Sequence, residues 1–152
     1  MFSLKEITLL DDIELRVEAS NWREAIRNCS RKPLIRGKIT EKYIENMISS
    51  VEEFGPYIVL AENFALAHAR PQEDISTGLF FTTLAKPVEF GSDEFDPVKL
   101  LVVLSATDSD GHLQLLIELA EILKDRQLVL DLCEAKTEEV FLNLIKGAID
   151  KN

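Results

Sequence analysis

His68 and His112 are the only imidazoles among the 152 residues of this chain. Imidazole gains and loses a proton near neutral pH, and its neutral nitrogen can attack an electrophile and carry a covalent group. His68 stands at the mouth of an apolar element, in the run Gly55–Pro71, GPYIVLAENFALAHARP. Arg70 comes two residues later. A guanidinium there can hold phosphate oxygens through parallel N–H groups, or pair with Glu73 or Asp74. His112 follows Asp108-Ser109-Asp110-Gly111, a turn and helix cap, at the start of an apolar helix. Helix N-termini offer unpaired N–H groups and a positive dipole end, which suit a phosphoryl group.

Other chemistries lack their residues. No glycine-rich phosphate loop occurs, which argues against a nucleotide-driven kinase. Two isolated histidines and two distant cysteines, Cys29 and Cys133, make no zinc-ligand spacing. Nothing nominates a third partner for Ser-His-Asp chemistry. The many carboxylates fall mostly on helix faces, where solvated roles are the default.

The elements that must position these residues can be read from periodicity. Ile13, Leu15 and Val17 alternate with charged residues and predict a short strand. Asn21 and Glu24 have capping-box spacing ahead of a helix whose face is Trp22, Ala25, Ile26 and Cys29. Ser30–Gly37, with Pro33, reads as a basic loop. Thr40 caps a helix with Tyr43, Ile44, Met47, Ile48, Val51 and Phe54 on one face, and Gly55-Pro56 stops it. Strands are predicted at Tyr57–Ala61, Phe64–Ala67 and Thr77–Leu84, with an edge piece at Val88–Phe90. Lys99–Ala106 is a nearly continuous apolar run, as in a central strand buried on both faces. Helices follow at His112–Leu123, over Asp125–Cys133, and after a Thr137 cap. The fold class is therefore α/β: a central mixed β-sheet of about four to six strands, flanked by helices on both faces.

The length suits a single domain, 1–152, able to bury a core. Apolar residues make up 46% and charged residues 29%, the balance of a soluble globular protein, and no run is long enough to span a bilayer. No signal peptide is read, and both cysteines are expected to be reduced and buried, so the expected location is cytoplasmic. A net charge of −10 argues against nucleic acid and anionic membranes, and suits a partner with basic residues around its own site.

The segment around His68 resembles the phosphorylation site of the enzyme IIA components of the bacterial sugar phosphotransferase system, mannitol/fructose type. Glu53, Leu60, Ala61, Ala65, Leu66, His68 and Ala69 fall on the family pattern. Phe64 is bulkier than the usual aliphatic, and Ala67 replaces the proline before the histidine. Gly55-Pro56-Tyr57 and Arg70-Pro71 are most like the ascorbate- and pentitol-associated branch. The resemblance implies a mixed sheet covered by helices, with the histidine at the sheet edge. It implies that His68 takes a phosphoryl group from the carrier HPr and passes it to a cysteine of enzyme IIB. The membrane enzyme IIC then takes up the sugar, ascorbate or a pentitol. His112 would stabilise the phosphoryl group, Arg70 could contact it, and Glu53 could orient an imidazole. No cofactor and no metal are expected, since the phosphoryl group arrives activated as a phosphoramidate. Losing the proline deletes no reactive group but removes a backbone restraint. The alternative is a phosphorylation-dependent regulatory binding module, since such domains also occur within transcription regulators.

Overall fold

The computed structural model describes residues 4–151. Its elements are α1 (Leu4–Ile7), a short 3-10 turn (Leu10–Asp12), β1 (Ile13–Val17), α2 (Trp22–Cys29), α3 (Arg31–Ile35), α4 (Glu41–Phe54), β2 (Val59–Ala61), β3 (Asn63–Ala67), β4 (Gly78–Val88), β5 (Val98–Ser105), α5 (Ser109–Leu123), α6 (Arg126–Glu134) and α7 (Glu138–Asp150). The strands form one five-stranded sheet in the order β1-β4-β5-β3-β2. β1 runs parallel to β4 and β3 parallel to β5; the β4–β5 and β2–β3 pairs are antiparallel.

Period-two alternation divides the strands between two cores. Ala65, Ala67, Leu101 and Val103 face one core, shared with Ile26 of α2 and with Tyr43, Met47 and Val51 of α4. Phe64, Leu66, Leu100, Val102 and Leu104 face the other, shared with Leu115 and Leu119 of α5, Leu132 of α6 and Phe141 of α7. Helices thus cover both faces of a mixed sheet, as expected.

The caps are local, and those at Asn21, Thr40, Asp108 and Thr137 match the sequence reading, whereas Asp125, expected inside its helix, is the cap. Asn21, Thr40, Asp108, Asp125 and Thr137 each accept a backbone N–H of the following turn. Gly55, at φ 83°, takes the positive-φ position that ends α4.

Four other boundaries differ from expectation. Ser30–Gly37 is mostly the helix α3; Pro33 lies in its first turn, where a missing N–H breaks no helical bond. The strand expected from Tyr57 begins only at Val59, because a turn after Gly55 leaves Tyr57 half-exposed. The pieces at Thr77–Leu84 and Val88–Phe90 join into β4, whose exposed residues Ala85–Pro87 coincide with the break in register against β5. That break is where a proline costs no ladder bond. Finally, α5 starts at Ser109, so His112 sits one turn inside the helix.

Candidate active site

β3 and β5 are parallel neighbours with Ala67 opposite Val103, so both point their carboxyl ends at the same end of the sheet. His68 is the first residue past β3. α5 begins four residues past the end of β5 and carries His112. Carboxyl ends of adjacent parallel strands are where open α/β sheets place their sites. The strand alternation continues past Ala67: Ala69 is buried in the α4-side core, and the His68 ring turns to the other side and meets α5.

The rings of His68 and His112 have centroids 5.3 Å apart and planes at 67°. Tyr57 stands edge-on to His68 from the other side, at 5.6 Å and 88°, and Phe54 stands edge-on to Tyr57 at 6.3 Å. The His68 ring is anchored through Nδ1, 2.7 Å from the carbonyl oxygen of Leu66. A carbonyl only accepts, so Nδ1 carries the proton and the lone pair lies on Nε2. Burial holds His68 below the usual histidine range, with the Leu66 carbonyl opposing that shift. Burial, and then the nearby His68, likewise hold His112 low. Both rings are thereby biased to the neutral form. His112 Nδ1 is buried with no hydrogen-bond partner. A bare acceptor is tolerated there better than a stranded N–H, which places the His112 proton on Nε2.

Arg70 is exposed and makes no hydrogen bond or ion pair among the described residues, so its guanidinium is uncommitted; the pairing with Glu73 or Asp74 does not form. Glu53, the expected imidazole-orienting carboxylate, lies exposed in the last turn of α4 and bonds to neither ring. The Leu66 carbonyl occupies the position on Nδ1 that Glu53 would need. His68 also departs from the sheet edge: it leaves an inner strand, with β2 outside it.

Two residues of this neighbourhood make contacts that escape a sequence reading. Tyr57 is marked by the Gly55-Pro56-Tyr57 signature, but its contact with His68 is hidden because it reads as the start of an apolar strand. Tyr43 is hidden because it occupies a core position on the α4 stripe. A cavity of about 310 Å³ lies beside the start of α5, lined by residues that include Thr77, Thr107, Asp108 and Gln114, but by neither histidine. His68 therefore borders a surface and not that cavity. No group of three His, Cys, Asp or Glu converges as a metal site among the described residues.

The family model for the phosphoenolpyruvate-dependent sugar phosphotransferase system, EIIA 2, matches residues 6–148. The chain belongs to this EIIA family. It is 33% identical over 135 residues to the ascorbate-specific PTS system EIIA component of Escherichia coli strain K12, covering 88% of each chain. The solution structure of the mannitol-specific cryptic phosphotransferase enzyme IIA CmtB from Escherichia coli superposes with a TM-score of 0.79 at 33% identity, over 98% of this chain and 99% of that one. The mannitol IIA domain of Escherichia coli, solved in complex with phosphorylated enzyme IIB, has the same fold (TM-score 0.79, 24% identity, 90% and 95% covered). As an EIIA component the chain is a phosphotransferase and a phosphocarrier of sugar transport. No helix among its described residues is long and apolar enough to cross a membrane.

Proposed function

We propose that His68 is the phosphoryl acceptor of this EIIA domain, receiving the group from phospho-HPr and passing it to a cysteine of enzyme IIB. The observation that carries this reading is the anchored ring: Nδ1 is held by the Leu66 carbonyl, which leaves Nε2 as the nucleophile beside His112. In the first step the Nε2 lone pair forms a P–N bond while the donor's P–N bond breaks and its electron pair returns to the donor imidazole. Nδ1 keeps its proton throughout, so the positive charge gained by the ring is shared with the Leu66 carbonyl. In the second step a thiolate of enzyme IIB attacks phosphorus, and His68 leaves as a neutral imidazole. His112 Nε2–H donates to a phosphoryl oxygen in both directions. Arg70, uncommitted and two residues away, is the further cation available to the group.

The surroundings suit macromolecular partners. Phe54, 68% exposed, packs on Tyr57, which meets His68, and Leu113, next to His112, is 57% exposed, so apolar surface adjoins the two histidines. Exposed apolar residues of this kind mark protein docking. The chain's net charge of −10 complements basic residues on a partner. Membrane enzyme IIC then acts downstream of enzyme IIB, and this chain works in the cytoplasm. The sugar is ascorbate or a pentitol, a reading supported by the name of the 33%-identical relative and by Gly55-Pro56-Tyr57 and Arg70-Pro71.

The test is label transfer from phosphoenolpyruvate through enzyme I and HPr to wild type and to His68→Ala. Acid-labile label that requires HPr, is absent from His68→Ala and moves on to enzyme IIB is the expected result. Folded wild type that stays unlabelled beside active HPr defeats the reading.

A further inference from the structure

Resting on the reading of His68 as the acceptor, we infer that the Tyr43 hydroxyl is a positioning group for the transfer: it clamps the peptide after His68 to the end of β5 and thereby fixes the line along which Nε2 attacks. Tyr43 is fully buried in the first turn of α4. Its hydroxyl lies 2.5 Å from the carbonyl oxygen of Leu104 and 3.2 Å from the backbone nitrogen of Ala69. A phenol has one proton to give. The shorter contact takes it, so Tyr43 donates to Leu104 and accepts from the Ala69 N–H. The Ala69 carbonyl, 3.4 Å from the same hydroxyl, is the weaker competitor for that proton.

The position of this bridge is what gives it a role. The ladder between β3 and β5 ends at Ala67 opposite Val103. Ala69 is buried and lies beyond that ladder, and its N–H would be stranded without Tyr43. On the near side of His68, Leu66 pairs with Val102, donates its N–H to Ile58 and accepts from the His68 ring. The backbone around His68 is thus held at residue 66 by the sheet and at residue 69 by one phenol. Alanine at position 67 imposes no ring restraint on this turn, so hydrogen bonds must supply it. Burial pushes the Tyr43 phenol up to about 12, and the Ala69 backbone bond opposes that shift. The hydroxyl therefore keeps its donor proton at any pH at which the protein works.

Tyr43→Phe removes one oxygen and keeps the ring in the core. The variant is compared with wild type in single-turnover transfer from phospho-HPr, with Phe141→Leu as a control that loosens the opposite core. Misplacement of a reacting group costs roughly ten- to hundredfold in rate. Tyr43→Phe is expected to lose that much in the maximal rate with an unchanged half-saturating concentration of phospho-HPr. Its His68 ring nitrogens should report a mixed tautomer by 15N NMR where wild type reports Nδ1–H. Phe141→Leu should keep wild-type values of both. A folded Tyr43→Phe with wild-type rate and ring shifts overturns the clamp while leaving His68 as acceptor. Equal losses in the two variants overturn it as well, since they would report general loosening. Unlabelled wild type overturns both readings together. A measurement on wild type alone covers the case in which Tyr43→Phe does not fold: the Ala69 amide should exchange at least about a hundredfold slower than an unstructured one, and free exchange overturns the clamp.

Discussion

His68 and His112 meet at the carboxyl end of the sheet with ring centroids 5.3 Å apart, one just past an inner strand and the other one turn into α5. His68 is anchored through Nδ1, whereas the buried Nδ1 of His112 has no partner. The two rings are therefore unequal, one prepared as a nucleophile and the other as an N–H donor.

Removing the donor should slow transfer without abolishing it. His112→Ala is expected to accept label from phospho-HPr roughly a hundredfold more slowly, the usual cost of one donor to developing charge. His112→Gln, which keeps an N–H, should lose less. Rapid-quench measurement of both rates decides this; a His112→Ala variant at wild-type speed would remove His112 from the reaction.

Acidification should destabilise the fold through these rings. Both histidines titrate below the ordinary value of 6.5 in the folded protein, each first because of burial. Between the folded and unfolded values the unfolded chain binds more protons, so stability rises with pH. The contribution is complete above 6.5 and is lost as pH falls through the depressed folded values. Urea midpoints should therefore drop more for wild type than for His68→Gln/His112→Gln between about pH 7.5 and pH 5.5. Parallel drops would contradict this.

Neither cysteine should carry phosphate or react readily. Burial pushes the Cys29 thiol up to about 12 and the Cys133 thiol up to about 11. The thiolate is the nucleophile, so both stay inert near neutral pH. Cys29→Ala and Cys133→Ala should each keep wild-type labelling, and a thiol reagent should react only slowly until denaturant is added. Rapid reaction of folded protein would show that these sites open.

The cap of α5 should matter to the site as well as to stability. Asp108 accepts the Gly111 N–H at 2.7 Å and sets the turn that presents His112. Asp108→Ala is expected to cost about 1 kcal/mol in denaturant unfolding and to slow transfer severalfold. Asp108→Asn should restore most of both. Full activity in a destabilised Asp108→Ala would separate the cap from the site.

Much of the architecture is written in short-range pattern. The Asn21, Thr40, Asp108, Asp125 and Thr137 caps, the apolar stripe of α4 and the apolar run of β5 each follow from residues within one or two turns of one another. The failures are also physical. α3 reads as a loop because Pro33 and its basic neighbours suggest one, although a first-turn proline breaks no helical bond. β4 reads as two pieces because its exposed Ala85–Pro87 segment interrupts the alternation. The position of Glu53 relative to His68 was expected from motif spacing, but α4 ends and turns at Gly55 and leaves that carboxylate in solvent.

By itself, the sequence determined the α/β class, the capped starts of α2, α4 and α7 and the singling out of His68, because caps, periodicity and a distinctive motif are local properties. Only the tertiary structure decided what surrounds His68. The parallel register of β3 on β5 brings His112 to its ring, the Leu66 carbonyl selects its tautomer, and Tyr43 reaches the next peptide from the opposite face of the sheet. The His112 and Tyr43 contacts join residues remote in sequence, and the Leu66 contact forms only because the chain turns at the end of β3. Strand order and register choose them, and no spacing along the chain encodes either one.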